Sequence, residues 1–168
     1  MDCAARVVSP NHDDRPDGIG IRLLVIHAIS LPPNEFGGDG IVDLFLNRLD
    51  SGAHPYYREI AHLRVSAHFL IRRDGDTIQF VSALHRAWHA GTSTWNGQSR
   101  CNDFSVGIEL EGCDYLSFEP VQYSVLNNLI KGLRASYPIE AVVGHSDIAP
   151  GRKSDPGPHF DWWRIRNI

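Results

Sequence analysis

The run IRLLVIH, residues 21–27, constrains the fold of this chain more than any other segment. It is short, mostly apolar and branched, which suits a strand buried in a sheet. Leu23, Val25 and His27 share one face, so the strand carries a histidine to its carboxyl end among apolar neighbours. FSVGIELEG (104–112) alternates in the same way: Val106, Ile108 and Leu110 point to one side, Gly107, Glu109 and Glu111 to the other. IEAVVG (139–144) predicts a last strand that delivers His145, and VSAHFLIRRDGDTIQFVS (65–82) predicts a hairpin turning at Asp74-Gly75. Helical patterns separate these strands. IVDLFLNRLD (41–50), after the Pro- and Gly-rich loop LPPNEFGGDG, places Ile41, Leu44, Phe45 and Leu49 on one side. PVQYSVLNNLIKGLRASYP (120–138) is the clearest helix, with Val121, Val125, Leu129 and Leu133 recurring every four residues and Pro120 in its first turn. Strands interleaved with helices, without repeats or linkers, predict a single α/β domain over residues 1–168.

Composition narrows the class. A chain of 168 residues is long enough to bury roughly 70% of its unfolded surface in one core. The 42% apolar and 21% charged residues are ordinary for a globular protein, and a net charge of −4 gives no electrostatic reason to expect nucleic acid or an anionic membrane as partner. No transmembrane span is expected, and the opening MDCAARVVSPNHDDRPDG lacks the apolar core of a signal peptide. The three cysteines, Cys3, Cys101 and Cys113, are odd in number and form no CxxC pair, so free thiols in a reducing cytoplasm are expected.

The chemistry concentrates in GHSDIAPGRKSDPGPHFDW, Gly144 to Trp162. Prolines 150, 156 and 158 stiffen this segment and its glycines permit sharp bends, so it is expected to hold side chains in place without helix or sheet. His145 and Asp155 are metal-ligand types; with His27 they make a three-ligand set that leaves a fourth position for water, the catalytic arrangement of zinc. With nine histidines in the chain, His27 taken by itself reads as a structural histidine, Asp155-Pro156-Gly157 reads equally as a plain turn, and Lys153 reads by default as a solvated cation. Glu109 is odder, because a carboxylate among apolar strand residues must find a polar cavity or partners, or shift its pKa. It is a candidate general base, with Glu111 as a structural partner or a rim residue. RAWHAG (86–91) suggests a cleft wall made by Trp88 and His89, and Arg64 and Arg100 are candidate clamps for substrate carboxylates. HExxH, GxSxG, Walker A and GxGxxG motifs are absent. A Cys–His hydrolase, with Cys101 or Cys113 as nucleophile and His85 or His89 as base, stays open.

VIHAISLPPNEFGG, AHLRVSAHFLIRRDG, RAWHAG, RCNDFSVGIELEG and the 144–162 segment together resemble the cytoplasmic N-acetylmuramoyl-L-alanine amidases of cell-wall recycling, within the amidase_2 and peptidoglycan-recognition superfamily. The likeness runs from about Val8 to Trp163. It implies a central mixed β-sheet flanked by helices and one zinc ion in a surface cleft. It places the metal ligands on His27, His145 and Asp155, the catalytic glutamate on Glu109, the catalytic lysine on Lys153, and the arginines that meet peptide carboxylates on Arg64 and Arg100. The family pattern has Asn after the first histidine, where this chain has Ala28, so a substrate contact or a bond behind the metal ligands is in question there. Ser154 stands where threonine is more usual.

The activity so implied is zinc-dependent hydrolysis of the amide between N-acetylmuramic acid, in its 1,6-anhydro form, and L-alanine, by a cytoplasmic enzyme acting as a monomer on a small muropeptide. Two other readings remain: a secreted or phage-type amidase that cuts intact peptidoglycan, and a peptidoglycan-binding module without activity.

Overall fold

The computed structural model describes residues 4–165, so Cys3 lies outside the described residues. In chain order the elements are β1 (Ala5–Arg6), β2 (His12–Asp14), β3 (Leu23–Ile29), α1 (Gly40–Phe45), α2 (Pro55–Ile60), β4 (Phe69–Ile71), β5 (Thr77–Gln79) and β6 (His85–Ala87). They continue with β7 (Thr94–Trp95), β8 (Gln98–Ser99), β9 (Ser105–Glu111), α3 (Pro120–Ser136), β10 (Ala141–Gly144) and α4 (His145–Ile148). The main sheet runs β1-β5-β4-β9-β3-β10 and is mixed: β4, β9, β3 and β10 are mutually parallel, and β5 returns antiparallel to β4. The α/β class and the central mixed sheet expected from sequence are both present.

The two faces of β3 and β9 divide as their alternation predicts. Leu24, Ile26, Val106, Ile108 and Leu110 join the core beneath α3, while Leu23 and Val25 pack with Cys101, Phe104 and Ile148 on the opposite face. The residues that α3 buries are Gln122, Tyr123, Leu126, Leu129, Ile130 and Leu133. This corrects the row expected from sequence: Leu129 and Leu133 belong to it, but Val121 is 42% exposed. A strict four-residue row drifts roughly 40° per step around a helix of 3.6 residues per turn, so its first member leaves the core. Gln122 compensates by a polar role. Its Nε2 donates to the carbonyls of Ile71 (3.2 Å) and Glu111 (3.1 Å), and its Oε1 accepts from the Glu119 N–H at 3.0 Å. The start of α3 is thereby fixed to the ends of β4 and β9.

The other face is built from smaller pieces. Ile41, Leu44 and Phe45 of α1 pack with Leu70 and Phe80. The helix stops well before residue 50, because Leu46 leaves helical geometry and Asn47 takes a left-handed φ of 58°, a conformation that asparagine tolerates at helix ends. Arg15 fastens the amino-terminal segment to the turn before β6 and to the start of β9. Its guanidinium donates to the carbonyls of Ala83, Asn102, Asp103 and Ser105 at 2.7–3.1 Å.

Candidate active site

The parallel register decides what meets at the carboxyl edge of the sheet. His27 is paired with Glu109 across β3 and β9, and Gly144 of β10 is paired with Ile26, so His145 follows directly beside His27. Crevices outside the carboxyl ends of parallel strands are the usual place for ligands in such sheets. Here the crevice is a cleft of about 540 Å³ whose lining includes His27, Trp88, His89, Glu109, His145, Lys153 and Asp155. One expectation for the 144–162 segment needs correction. It is not free of helix, because His145–Ile148 forms a single helical turn whose start is held by the Gly144 N–H bonded to Asp147 Oδ2 at 2.7 Å.

Three acceptor atoms converge on one point. His27 Nδ1 lies 3.0 Å from His145 Nδ1 and 3.0 Å from Asp155 Oδ2, and His145 Nδ1 lies 3.1 Å from the same oxygen. The far nitrogens have partners of their own. His145 Nε2 is 3.1 Å from the Ala90 carbonyl, and His27 Nε2 is 2.9 Å from His89 Nδ1. A carbonyl only accepts, so His145 carries its proton on Nε2 and turns a lone pair toward the centre. Two imidazole nitrogens and a carboxylate oxygen in mutual contact repel one another unless a positive charge sits among them. Burial lowers the pKa of His27, partly offset by Asp155. This donor set suits a divalent metal ion.

Glu109 stands beside this centre. It is buried, its Oε2 has no hydrogen-bond partner among the described residues, and burial followed by the charge of Asp155 pushes its pKa well above the ordinary value, with Lys153 pulling the other way. Lys153 is exposed and lies on the cleft lining. A carboxyl group that is buried, unpartnered and open to a cleft is suited to moving protons.

The remaining candidate residues sit as follows. Trp88 lines the cleft and donates through Nε1 to Asp13 Oδ1 at 3.1 Å. His89 lines it too, but both its nitrogens face protein atoms, His27 on one side and Ser105 Oγ (3.2 Å) on the other, so it offers a ligand only van der Waals surface. Arg64 turns back onto the carbonyls of Ala61, His62 and Leu63, and Arg100 pairs with Asp103 at 3.2 Å; neither side chain lines the cleft. Ala28 packs against the main core and borders the cleft. Glu111 proves structural: it accepts from the N–H groups of Gly37 (2.7 Å) and Arg73 (3.2 Å), tying the LPPNEFGGDG loop to β9. Of the Cys–His alternative, Cys101 is buried with its thiol pKa raised by desolvation, and His85 pairs with Asp14 away from the cleft. Cys113 does line the cleft with His89, but both ring nitrogens of His89 face His27 and Ser105, which leaves no nitrogen to act as base on the thiol.

Sequence reasoning missed the groups behind the ligands. Arg152 donates to the carbonyls of Ala90 (2.8 Å) and Thr92 (2.7 Å), and Asn102 Oδ1 accepts from the N–H groups of His89 (3.2 Å) and Ala90 (2.8 Å). No local pattern marks such residues, because their partners are 12 to 62 positions away. Tyr56 and Tyr115, also on the cleft lining, escaped notice for the same reason.

Residues 17–158 match the model of the family described as N-acetylmuramoyl-L-alanine amidase, Amidase_2. The chain belongs to the Amidase_2 family. It is 57% identical over 167 residues to the 1,6-anhydro-N-acetylmuramyl-L-alanine amidase AmpD of Salmonella typhimurium strain SL1344, covering 98% of this chain and 89% of that one. A crystal structure of a selenomethionine AmpD derivative superposes with a TM-score of 0.97 at 55% identity, covering 99% of this chain and 94% of that one. The Escherichia coli amidase AmiD, in complex with anhydro-N-acetylmuramic acid-L-Ala-D-gamma-Glu-L-Lys, superposes with a TM-score of 0.65 at 32% identity, over 90% of this chain and 59% of that one. Among the described residues no helix is long and apolar enough to cross a membrane.

Proposed function

We propose that this Amidase_2 chain is an AmpD-type enzyme that hydrolyses the amide bond between 1,6-anhydro-N-acetylmuramic acid and L-alanine in soluble muropeptides, in cell-wall recycling. The observation that carries the reading is the convergence of His27 Nδ1, His145 Nδ1 and Asp155 Oδ2 within 3.0–3.1 Å, beside a buried Glu109 with a free oxygen. High identity to AmpD enzymes over nearly the whole chain supports the substrate. The whole chain acts as one amidase domain, monomeric and cytoplasmic.

His27, His145 and Asp155 would hold one zinc ion. When bound, that ion supplies a Lewis acid that lowers the pKa of water and polarises a carbonyl. Glu109 takes the proton of the attacking water and returns it to the departing alanine amine, a role for which its raised pKa suits it. Lys153 presents its ammonium to the oxyanion that forms on the lactyl carbonyl. Trp88 and His89 form the wall against which the substrate lies. Arg64 and Arg100, both exposed, reach the carboxylates of the stem peptide by swinging from their present partners.

Parallel incubation with intact sacculi and with soluble anhydro-muropeptide tests the substrate. Peptide release from the soluble compound, at a rate far above that from sacculi, is expected. The reverse preference would assign the chain to the peptidoglycan-cutting branch of the family.

A further inference from the structure

The two histidines of the triad have their protons fixed by different means. His145 Nε2 faces the Ala90 carbonyl directly. His27 Nε2 faces another imidazole, His89 Nδ1, at 2.9 Å, and an imidazole nitrogen can either donate or accept. Its role is settled one residue further on. Ser105 Oγ lies 2.6 Å from the Cys101 carbonyl and 3.2 Å from His89 Nε2. A hydroxyl has one proton, and the carbonyl can only accept, so that proton points to Cys101. Ser105 Oγ must then accept from His89 Nε2–H. That leaves His89 Nδ1 as the acceptor, puts the proton of His27 on Nε2, and turns the Nδ1 lone pair of His27 toward His145 and Asp155.

We infer that His89 and Ser105 are positioning residues that select the tautomer of His27, through a proton-ordered chain running from the Cys101 carbonyl to the triad. The inference rests on reading the triad as a metal site. The surrounding architecture serves the chain. Asn102 Oδ1 bonds the backbone N–H of His89, and Gly107 on β9 leaves the room the ring occupies; an added Cβ there would meet His89 Cγ at 2.4 Å. His89 thus contributes to the reaction through His27 and does not require contact with substrate.

The test uses the full chain and zinc alone. Zinc affinity is measured by competition with a chromophoric chelator, and the His89 ring nitrogens are read by long-range proton–nitrogen NMR. The parent should show His89 with its proton on Nε2. H89A should lower zinc affinity roughly 10–100-fold, the range typical when a bond behind a metal ligand is cut. H89N, whose Oδ1 falls where Nδ1 lies, should recover most of that loss. S105A removes a single hydroxyl and carries the test if H89A does not fold; it should weaken zinc and give His89 as a mixture of tautomers. Parental affinity in folded H89A and S105A would overturn the inference, as would a parental His89 protonated on Nδ1. H89N as weak as H89A would point to packing instead of the acceptor and overturn it too. A parent chain that binds no zinc would overturn the metal reading itself, and this inference with it.

Discussion

Replacing Gly107 with alanine places a methyl group where the His89 ring lies. The new Cβ would sit 2.4 Å from His89 Cγ, 2.6 Å from Nδ1 and 2.7 Å from Cδ2. Carbon atoms in contact prefer about 3.5–4.0 Å, so one side must yield by roughly an ångström. Gly107 cannot, because its strand is held from both sides in the middle of the sheet: it pairs with Val25, its N–H bonds His68 Nδ1 at 3.0 Å, and its carbonyl accepts from the His68 N–H at 3.0 Å. The ring therefore moves and gives up its bonds to His27 (2.9 Å) and Ser105 (3.2 Å). Overpacking a core costs about 1–3 kcal/mol, and two lost hydrogen bonds add about 1 kcal/mol each. G107A should therefore be less stable by roughly 3–5 kcal/mol, read as a drop in the urea midpoint of the metal-free chain with an unchanged slope. Zinc affinity should fall with it, because the displaced ring no longer accepts from His27. A G107A chain within about 0.5 kcal/mol of the parent, the range of neutral surface changes, and with parental zinc affinity, would refute this account of why a glycine stands there.

Glu109→Ala removes the proposed base without removing a ligand, so it should keep its zinc and lose about 10²–10⁴ in kcat, the usual contribution of general acid–base catalysis; equal loss of metal and rate would assign Glu109 to the metal itself. Gln122→Ala, which breaks two hydrogen bonds from α3 to the sheet and one to the N-cap of the helix itself, should destabilise the chain by roughly 2–3 kcal/mol; a neutral result in urea titration would show that the helix is placed by its apolar face alone. Burial lowers the pKa of His68 from 6.5 to about 3, so it stays neutral in the fold while the unfolded chain takes up its proton below 6.5. The unfolded state then binds more protons, and the stability that His68 contributes is present above pH 6.5 and declines by about 1.4 kcal/mol per unit as pH falls toward 3. His68→Asn keeps an acceptor for the Gly107 N–H and removes the titration, so its stability should fall less steeply between pH 6 and 4, by about that slope; parallel pH profiles would show that His68 is not the titrating group.

Much of the site was legible because strand alternation is strict. His27, Glu109 and His145 follow from three short apolar runs whose faces can be assigned residue by residue, and parallel pairing then sets His27 against Glu109. The hairpin at Asp74-Gly75 was equally plain, since Gly75 takes the positive φ of 91° that the turn requires. Helix faces were less legible. The row Val121, Val125, Leu129 and Leu133 predicts the buried face of α3 at its far end but not at its start, where a buried glutamine next to Val121 does the work of the first turn through hydrogen bonds, which hydrophobic periodicity does not register. The single turn His145–Ile148 and the helix Pro55–Ile60 are too short to leave a periodic trace. Least legible were the supports of the triad. Ser105 Oγ, Asn102 and Arg152 act through backbone carbonyls, N–H groups and a ring nitrogen brought close only by the fold, and the wall suggested by RAWHAG concealed that His89 faces His27.

The most direct measurement is mass spectrometry of anhydro-muramyl-tripeptide incubated with the zinc-loaded chain, beside a chelated sample and one restored with zinc. Free tripeptide should appear with the loaded chain, cease with chelator and return with zinc, with the new amine on L-alanine. Intact substrate from folded, zinc-loaded protein, or cleavage indifferent to chelator, would contradict a metal-dependent amidase centred on His27, His145 and Asp155.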